Sequence, residues 1–155
     1  MPTNYREFVK ELRAQGQAIP AQVFVPWFRE ISFRLLELTA QATPRDTGGA
    51  SQGWHLTINA ASGQDVVAPS LGAALAAGAQ QLLPLQLGDT VVLQNNRAHI
   101  RVLEEGLFVP PNPGPSKDPR PGRQGRILVR DGYSVQAPHG MLGDALQTVR
   151  THYGL

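Results

Sequence analysis

A histidine followed by two carboxylates, side chains that often serve in general acid–base catalysis, occurs at His99, Glu104 and Glu105. His99 and Glu104 are five residues apart, so they would lie on different faces of a helix. The spacing therefore favours a structural interpretation: His99 is half-buried at the start of a short helix, and the two glutamates are exposed or contact another subunit. A small hydrolase that uses His99 and a glutamate is the competing enzymatic interpretation.

Other groups that could carry chemistry are scattered along the chain. The sequence has no cysteine, which excludes thiolate metal sites and cysteine nucleophiles, and it has neither a Gly-rich phosphate loop nor a Gly-x-Ser-x-Gly motif. No histidine is spaced for metal binding with a second histidine or a carboxylate. We therefore expect no catalytic, cofactor-binding or metal-binding residues and no enzymatic activity. The four histidines are His55, His99, His139 and His152.

Positive charge is concentrated in one part of the chain. The protein carries 14 basic and 12 acidic residues, a net charge of +2. The segment 108–131 has a net charge of +3 and the remainder −1, because five basic residues face only two acidic ones there. Such a segment could contact phosphate groups or an acidic partner, although a solvated loop is the simpler interpretation. Its basic residues are Lys117, Arg120, Arg123, Arg126 and Arg130.

Hydrophobic periodicity predicts the elements that would position these groups. Apolar residues at helical spacing indicate an N-terminal arm, residues 1–20, with a short amphipathic helix over residues 4–14 that bears Tyr5, Phe8, Val9 and Leu12 on one face. A stronger helix is predicted from Pro26, at a first-turn position, to Ala42. Its predicted core face consists of Phe28, Ile31, Leu35, Leu38 and Ala42, and is widened by Phe24, Trp27 and Leu36.

The rest of the chain alternates short strands and helices. We predict strands at 53–60 and 90–94, a helix at 71–82 capped by Ser70, a helix at 97–105, a short strand at 127–129 and a last helix at 141–153. Residues 107–131 form a long Pro/Gly-rich excursion, which is usually functional or disordered. The 155 residues suit a single domain. The pattern predicts an α+β fold with a small, mainly antiparallel sheet flanked by helices.

The sequence also bears on where the protein acts. The N-terminus lacks the apolar centre of a signal peptide, and no stretch is apolar and long enough to span a bilayer. We therefore expect a protein without a membrane partner that is soluble and cytoplasmic before it assembles.

Three short segments, taken together and in their order along the chain, form a recognisable set. The first follows a helix and contains Pro44, Asp46, Thr47, Gly48 and Trp54. The second contains Asn95, Asn96, Leu103, Glu104 and Gly106. The third contains Gly132, Tyr133, Ser134, Gln136, Ala137, Pro138, Gly140 and Met141, and a helix follows it.

Over residues 24–155 this ordered set resembles the tail-completion family of long-tailed bacteriophages, also described as neck, head–tail joining or minor tail proteins. The Ser-x-Gln-Ala-Pro-x-Gly-Met string is its most specific part. Two features depart from the family pattern. His99 stands where an aromatic residue, usually tyrosine, is common, and residues 107–131 intervene where many members pass almost directly from the second segment to the third.

The resemblance implies a structural virion protein that completes or caps the tail and joins it to the neck. It implies a ring of identical subunits, most commonly six, that contacts neck, connector, terminator or tail-tube proteins and leaves a channel for DNA. It implies no catalysis and no cofactor. A tail-terminator ring subunit is the alternative within the same class, and a nucleic-acid-binding module that uses the basic loop is the alternative from another class.

Overall fold

The computed structural model describes residues 20–44, 49–107, 109, 115–117 and 128–155. The helix predicted at 4–14 lies outside these residues. The described part confirms an α+β fold with antiparallel strand pairs. Its elements in order are α1 (Ala21–Ala42), α2 (Gly49–Gln52), β1 (His55–Ile58), α3 (Leu71–Gln81), β2 (Val91–Gln94), α4 (Ile100–Glu104), β3 (Val129–Arg130), β4 (Tyr133–Ser134) and α5 (Leu142–Tyr153).

Helix α1 begins five residues earlier than its sequence predicts. Pro20 occupies the N-cap, and its carbonyl accepts hydrogen bonds from the amides of Val23 and Phe24 at 2.8 and 3.0 Å. Pro26 lies inside the helix, so the predicted start was wrong. The end is as expected: Thr43 is extended, with ψ 127°, because Pro44 follows it.

The buried face of α1 matches the predicted one only in part. Of the predicted apolar residues, Ile31 and Leu36 are buried, and Leu36 is fully so. The periodicity of apolar residues located the helix but not its whole core face, because the small polar residues Ser32 and Thr39 also pack inward. The buried residues are Ile31, Ser32, Leu36, Thr39 and Ala40.

Strands β1 and β2 form an antiparallel pair in which His55 lies opposite Gln94 and Ile58 opposite Val91. Both are shorter than predicted. Helix α3 packs on β1 and α1, and it begins as predicted, because the Ser70 hydroxyl accepts a hydrogen bond from the amide of Ala73 at 3.0 Å. These elements share one hydrophobic core that consists of Leu36, Ala40, Trp54, Leu56, Leu82, Ala137 and Met141.

Strands β3 and β4, each two residues long, form a second antiparallel hairpin in which Val129 lies opposite Ser134 and Arg130 opposite Tyr133. The sequence predicted a strand at 127–129. The observed strand begins two residues later and ends one residue later, and it lies within the predicted 107–131 excursion. The C-terminal helix α5 packs against α1. No helix among the described residues is long and apolar enough to cross a membrane.

Gly78 provides a test of the packing between α3, α1 and β1. A Cβ atom added at Gly78 would lie 2.2 Å from Cδ2 of Leu36, whereas one at Gly72, in the same helix, would meet nothing closer than the Ser70 hydroxyl at 3.9 Å. Gly78→Ala should therefore lower the free energy of unfolding by about 1–3 kcal/mol through overpacking. Gly72→Ala should be neutral or stabilising. Urea denaturation of both variants checks this, and equal effects would contradict the packing described.

Candidate functional site

The carboxylate of Glu104 lies at the N-terminus of α5. It accepts hydrogen bonds from the backbone amides of Met141 at 2.7 Å, Leu142 at 3.1 Å and Gly143 at 3.3 Å. Met141 is itself the N-cap residue, and its fully buried apolar side chain makes no capping bond. Glu104 therefore supplies from a distant part of the chain the capping that the helix lacks locally, and its negative charge suits the positive end of the helix dipole.

Two glycines bring the second and third segments into direct backbone contact. Gly106 has φ +66°, and a Cβ atom there would lie 2.3 Å from the Tyr133 ring. Gly132 has φ +82°, and a Cβ atom there would lie 1.7 Å from the carbonyl oxygen of Gly106. Because a backbone atom cannot move aside as a flexible side chain can, only glycine fits at Gly132. The two ends of the 107–131 segment therefore meet.

The string that leads into α5 is a series of turns. The amide of Gln136 donates to the Ser134 hydroxyl at 3.2 Å, and the amide of Ala137 donates to the Ser134 carbonyl at 3.0 Å. Ala137 is 3% exposed and belongs to the core, whereas Pro138 is exposed. Gly140, with φ +84°, lies against Glu104, where a Cβ atom would be 2.8 Å from the Glu104 carbonyl oxygen. The string thus places both α5 and its capping carboxylate.

In the first segment, Trp54 closes a buried hydrogen-bond chain. Its indole Nε1 donates to the Thr43 hydroxyl at 2.7 Å, and that hydroxyl donates to the Thr39 carbonyl at 2.7 Å. Trp54 and Thr43 are 6% and 2% exposed. Pro44 is half-buried at the end of α1. The predicted turn residues Asp46, Thr47 and Gly48 lie outside the described part of the chain.

The asparagine pair of the second segment holds neighbouring backbone in place. The Asn95 amide donates to the Ala50 carbonyl in α2 at 2.7 Å, which joins the first segment to the second. The Asn96 amide donates to the carbonyls of Ser62 and Gln64 at 2.8 and 2.6 Å. Both side chains thus serve as structural connectors. Leu103 packs against the core from α4.

His55 is a buried polar residue that the sequence did not single out. Alternation along β1 places it on the face opposite Leu56, yet it is 7% exposed. Its Nδ1 lies 3.0 Å from the Gly53 carbonyl, and its Nε2 lies 2.7 Å from Nε2 of Gln94. The Gln94 amide is oriented by Ser62, whose backbone N–H donates to Oε1 and whose carbonyl accepts from Nε2. His55 therefore donates through Nδ1 and accepts through Nε2, a satisfied structural arrangement.

The residues of the alternative base–acid pair have different surroundings. His99 is exposed at the N-cap of α4, so the expectation of a half-buried histidine was wrong. Glu104 is neither exposed nor free, because its oxygens hold three backbone amides. Glu105 is exposed and pairs with Arg101 at 2.9 Å. The described residues contain no group of three or more potential metal ligands.

The pKa values of two titratable groups are shifted from their ordinary values. The hydrogen bond from the Asn59 amide at 2.8 Å, together with one from the backbone of Gln86, lowers the pKa of the Asp89 carboxyl. Partial burial, followed by the hydrogen bond to the Glu30 carboxylate and its charge, raises the pKa of the Tyr153 hydroxyl. Both groups join elements of the fold, at the β1–β2 end and between α5 and α1.

Of the basic residues in the 107–131 segment, Lys117 and Arg130 are described and both are exposed. Arg130 lies in β3, at the base of the segment. Arg120, Arg123 and Arg126 lie outside the described residues.

Comparisons with known proteins add no relative. A scan against family models, a search of curated proteins and a search of solved structures each found no match.

Adjacent glutamates allow a matched test of the α5 cap. Glu104→Ala removes the acceptor for three amides and should lower the free energy of unfolding by about 1–3 kcal/mol. Glu105→Ala removes only an exposed ion pair and should change it by less than about 0.5 kcal/mol. Chemical denaturation followed by circular dichroism measures both. Similar losses in the two variants would show that the cap is not important for stability.

Contact between the ends of the 107–131 segment predicts that the fold does not need it. Replacing residues 108–127 with a short Gly-Ser linker should change the free energy of unfolding by less than about 1 kcal/mol, because the cost of loop closure depends only weakly on length. A single cooperative urea transition with an unchanged slope would agree. Loss of cooperative unfolding would show that the segment contributes to the core.

Proposed function

We propose that this protein is a structural subunit of a tailed-bacteriophage virion that acts at the head–tail junction. In this role it completes or caps the tail, joins it to the neck as part of a ring, and leaves a channel for DNA. A tail-terminator ring subunit is the nearest alternative, and it shares the same kind of assembly.

One observation carries the proposal: the three segments on which the family resemblance rests meet in a single packed unit. Asn95 connects the second segment to α2, and Glu104 connects it to the start of α5. Gly106 and Gly132 lie in backbone contact. An ordered set of sequence motifs that converges in space in this way is expected of a family's structural framework, and less so of a chance match.

The polar groups of these segments are used within the fold. The carboxylate of Glu104, the amides of Asn95 and Asn96 and the indole of Trp54 each have an internal partner. Such groups position backbone and are not available to a substrate. This arrangement supports a scaffold role over the hydrolase alternative, for which His99→Ala should abolish activity.

Ring assembly is tested by locating and counting the subunit. We expect cryo-electron microscopy of particles that contain the protein to place a closed ring, most commonly sixfold in this family, between portal and tail tube. Rotational closure requires two different contact surfaces on each subunit. A position elsewhere in the particle would contradict the proposal. A monomer in solution would not, because the ring can depend on the tail for assembly.

The 107–131 segment is expected to project from the subunit into the channel or onto a neighbouring ring. Limited proteolysis should therefore cut it at least about tenfold more slowly in the assembled particle than in the free subunit, because cleavage requires an accessible and locally unfolded segment. Western blotting with an antibody against the C-terminus follows the cleavage. Equal rates in the two states would refute the expected contact.

Nucleic-acid binding is separated from the structural role by its salt dependence. If the basic segment binds duplex DNA by itself, the affinity of the isolated subunit should fall steeply with salt, and changing Lys117, Arg120, Arg123 and Arg126 to glutamine should reduce that slope. A head–tail joining role predicts weak binding without sequence preference. Tight, salt-sensitive binding by the free subunit would favour the DNA-binding alternative.

A further inference from the structure

The loop between β1 and α3, residues 59–70, lies on the surface and buries little apolar area. Only Ser62 and Ala68 in it are half-buried, and its two adjacent valines are 40% and 41% exposed. Near its end the Ala68 amide donates to the Gln52 carbonyl at 3.1 Å. Because hydrophobic burial contributes little here, the conformation of this loop depends mainly on polar contacts.

The strongest of these contacts is made by Ser62. Its backbone N–H donates to Oε1 of Gln94, and its carbonyl accepts from Nε2 of the same side chain, each at 3.0 Å and in half-buried surroundings. The contacts that Asn96 makes with the loop and the ion pair between Arg97 and Asp65 are exposed. Exposed ion pairs contribute little to stability, so the Gln94 amide is the main anchor of the loop around Ser62.

The two backbone groups of Ser62 determine which way round the Gln94 amide lies. Its oxygen must face the N–H and its nitrogen the carbonyl, so the second hydrogen on Nε2 points to Nε2 of His55, 2.7 Å away. That ring nitrogen is therefore an acceptor. The ring proton lies on Nδ1, which is 3.0 Å from the Gly53 carbonyl. The network thus requires a neutral His55 with its proton on Nδ1.

A second proton on His55 finds no acceptor in this network. The N–H of Nε2 and the amide N–H of Gln94 would face each other as two donors across 2.7 Å. Turning the Gln94 amide over would offer its oxygen to the ring. It would also place a donor against the Ser62 N–H and an acceptor against the Ser62 carbonyl. A charged ring and the loop therefore compete for one amide, and both cannot be satisfied.

Within the part of the chain that the structure describes, the elements around His55 offer no free carboxylate to a charged ring. Strand β2 and helix α3, which pack against β1, contain no titratable residue. The loop contributes Asp65 and the turn after β2 contributes Arg97, and these two pair with each other at 2.9 Å. Because His55 is 7% exposed, water offers little compensation either.

We propose that His55 is a pH-sensitive switch for the 59–70 loop. With a neutral ring the Gln94 amide holds Ser62, and protonation of the ring releases Ser62 and the loop on either side of it. Histidine is the side chain that ordinarily changes charge between about pH 5 and 8, whereas amides do not titrate there. The inference rests on the β1–β2 end of the domain alone, so it does not depend on whether the subunit belongs to a virion.

Amide hydrogen exchange in the full chain tests the switch, read by NMR and normalised to the intrinsic exchange rate at each pH. From about pH 8 to about pH 5 the protection of the Ser62 amide should fall at least about fivefold, because its hydrogen bond is lost. The Leu36 amide in the core should keep its protection, which separates the switch from unfolding. Equal protection of Ser62 at the two pH values would overturn the proposal.

Two histidine variants assign the effect to one ring. His55→Gln cannot be protonated and should remove the pH dependence of the Ser62 amide. His99→Gln, which changes an exposed histidine, should retain it. Loss of the dependence in the His99 variant, or its persistence in the His55 variant, would show that another group is responsible.

A change of the partner should reverse the direction of the switch. In Gln94→Glu, a carboxylate can accept from both the Ser62 N–H and a protonated Nε2 of His55, so Ser62 should be better protected at about pH 5 than at about pH 8. A dependence in the wild-type direction would contradict the proposal.

The wild-type chain also gives a readout that needs no variant. The ¹⁵N chemical shifts of the His55 ring at about pH 8 should show the proton on Nδ1. A proton on Nε2 would overturn the proposal even if none of the variants folded.

Discussion

The C-terminal half of the domain depends on a single carboxylate that reaches the start of a helix from a distant part of the chain. The N-cap of helix α5 is Met141, a fully buried residue that contributes to the core and whose side chain makes no capping hydrogen bond. Core packing requires an apolar residue at this position, whereas helix capping favours a polar one. Glu104 in α4 supplies the capping group instead. The arrangement requires close backbone approach, which explains the glycine at Gly140.

Other polar side chains make long-range hydrogen bonds of the same kind. Glu104, Asn95 and Trp54 each connect segments that are separate in sequence, and together they fix α1, β2 and α5 around the core. A buried or half-buried polar group with a satisfied partner adds specificity to the fold and leaves little for catalysis. For the role that we propose, the important surfaces are therefore outside this framework, on exposed faces that meet other subunits.

Local signals in the sequence predicted where helices begin and end better than they predicted which residues the helices and strands contact. Ser70 and Pro44 mark helix ends through interactions within a few residues, and both ends were found close to where they were expected. The inward face of α1 and the burial of His55 depend on partners far away in the sequence, which periodicity does not reveal. The role of Glu104 could not be derived from spacing either, because its partners lie 37 to 39 residues further on.

The contact between Gly106 and Gly132 has a consequence for how this protein can change over time. Because the backbone closes on itself at this point, we expect selection on stability to act on the two glycines and on strand β3 more than on residues 108–127. We expect residues 108–127 to tolerate changes in length, charge and sequence while the domain keeps its shape. A sequence inserted between the two glycines, by evolution or by engineering, would give the subunit a new binding surface while its core stays unchanged.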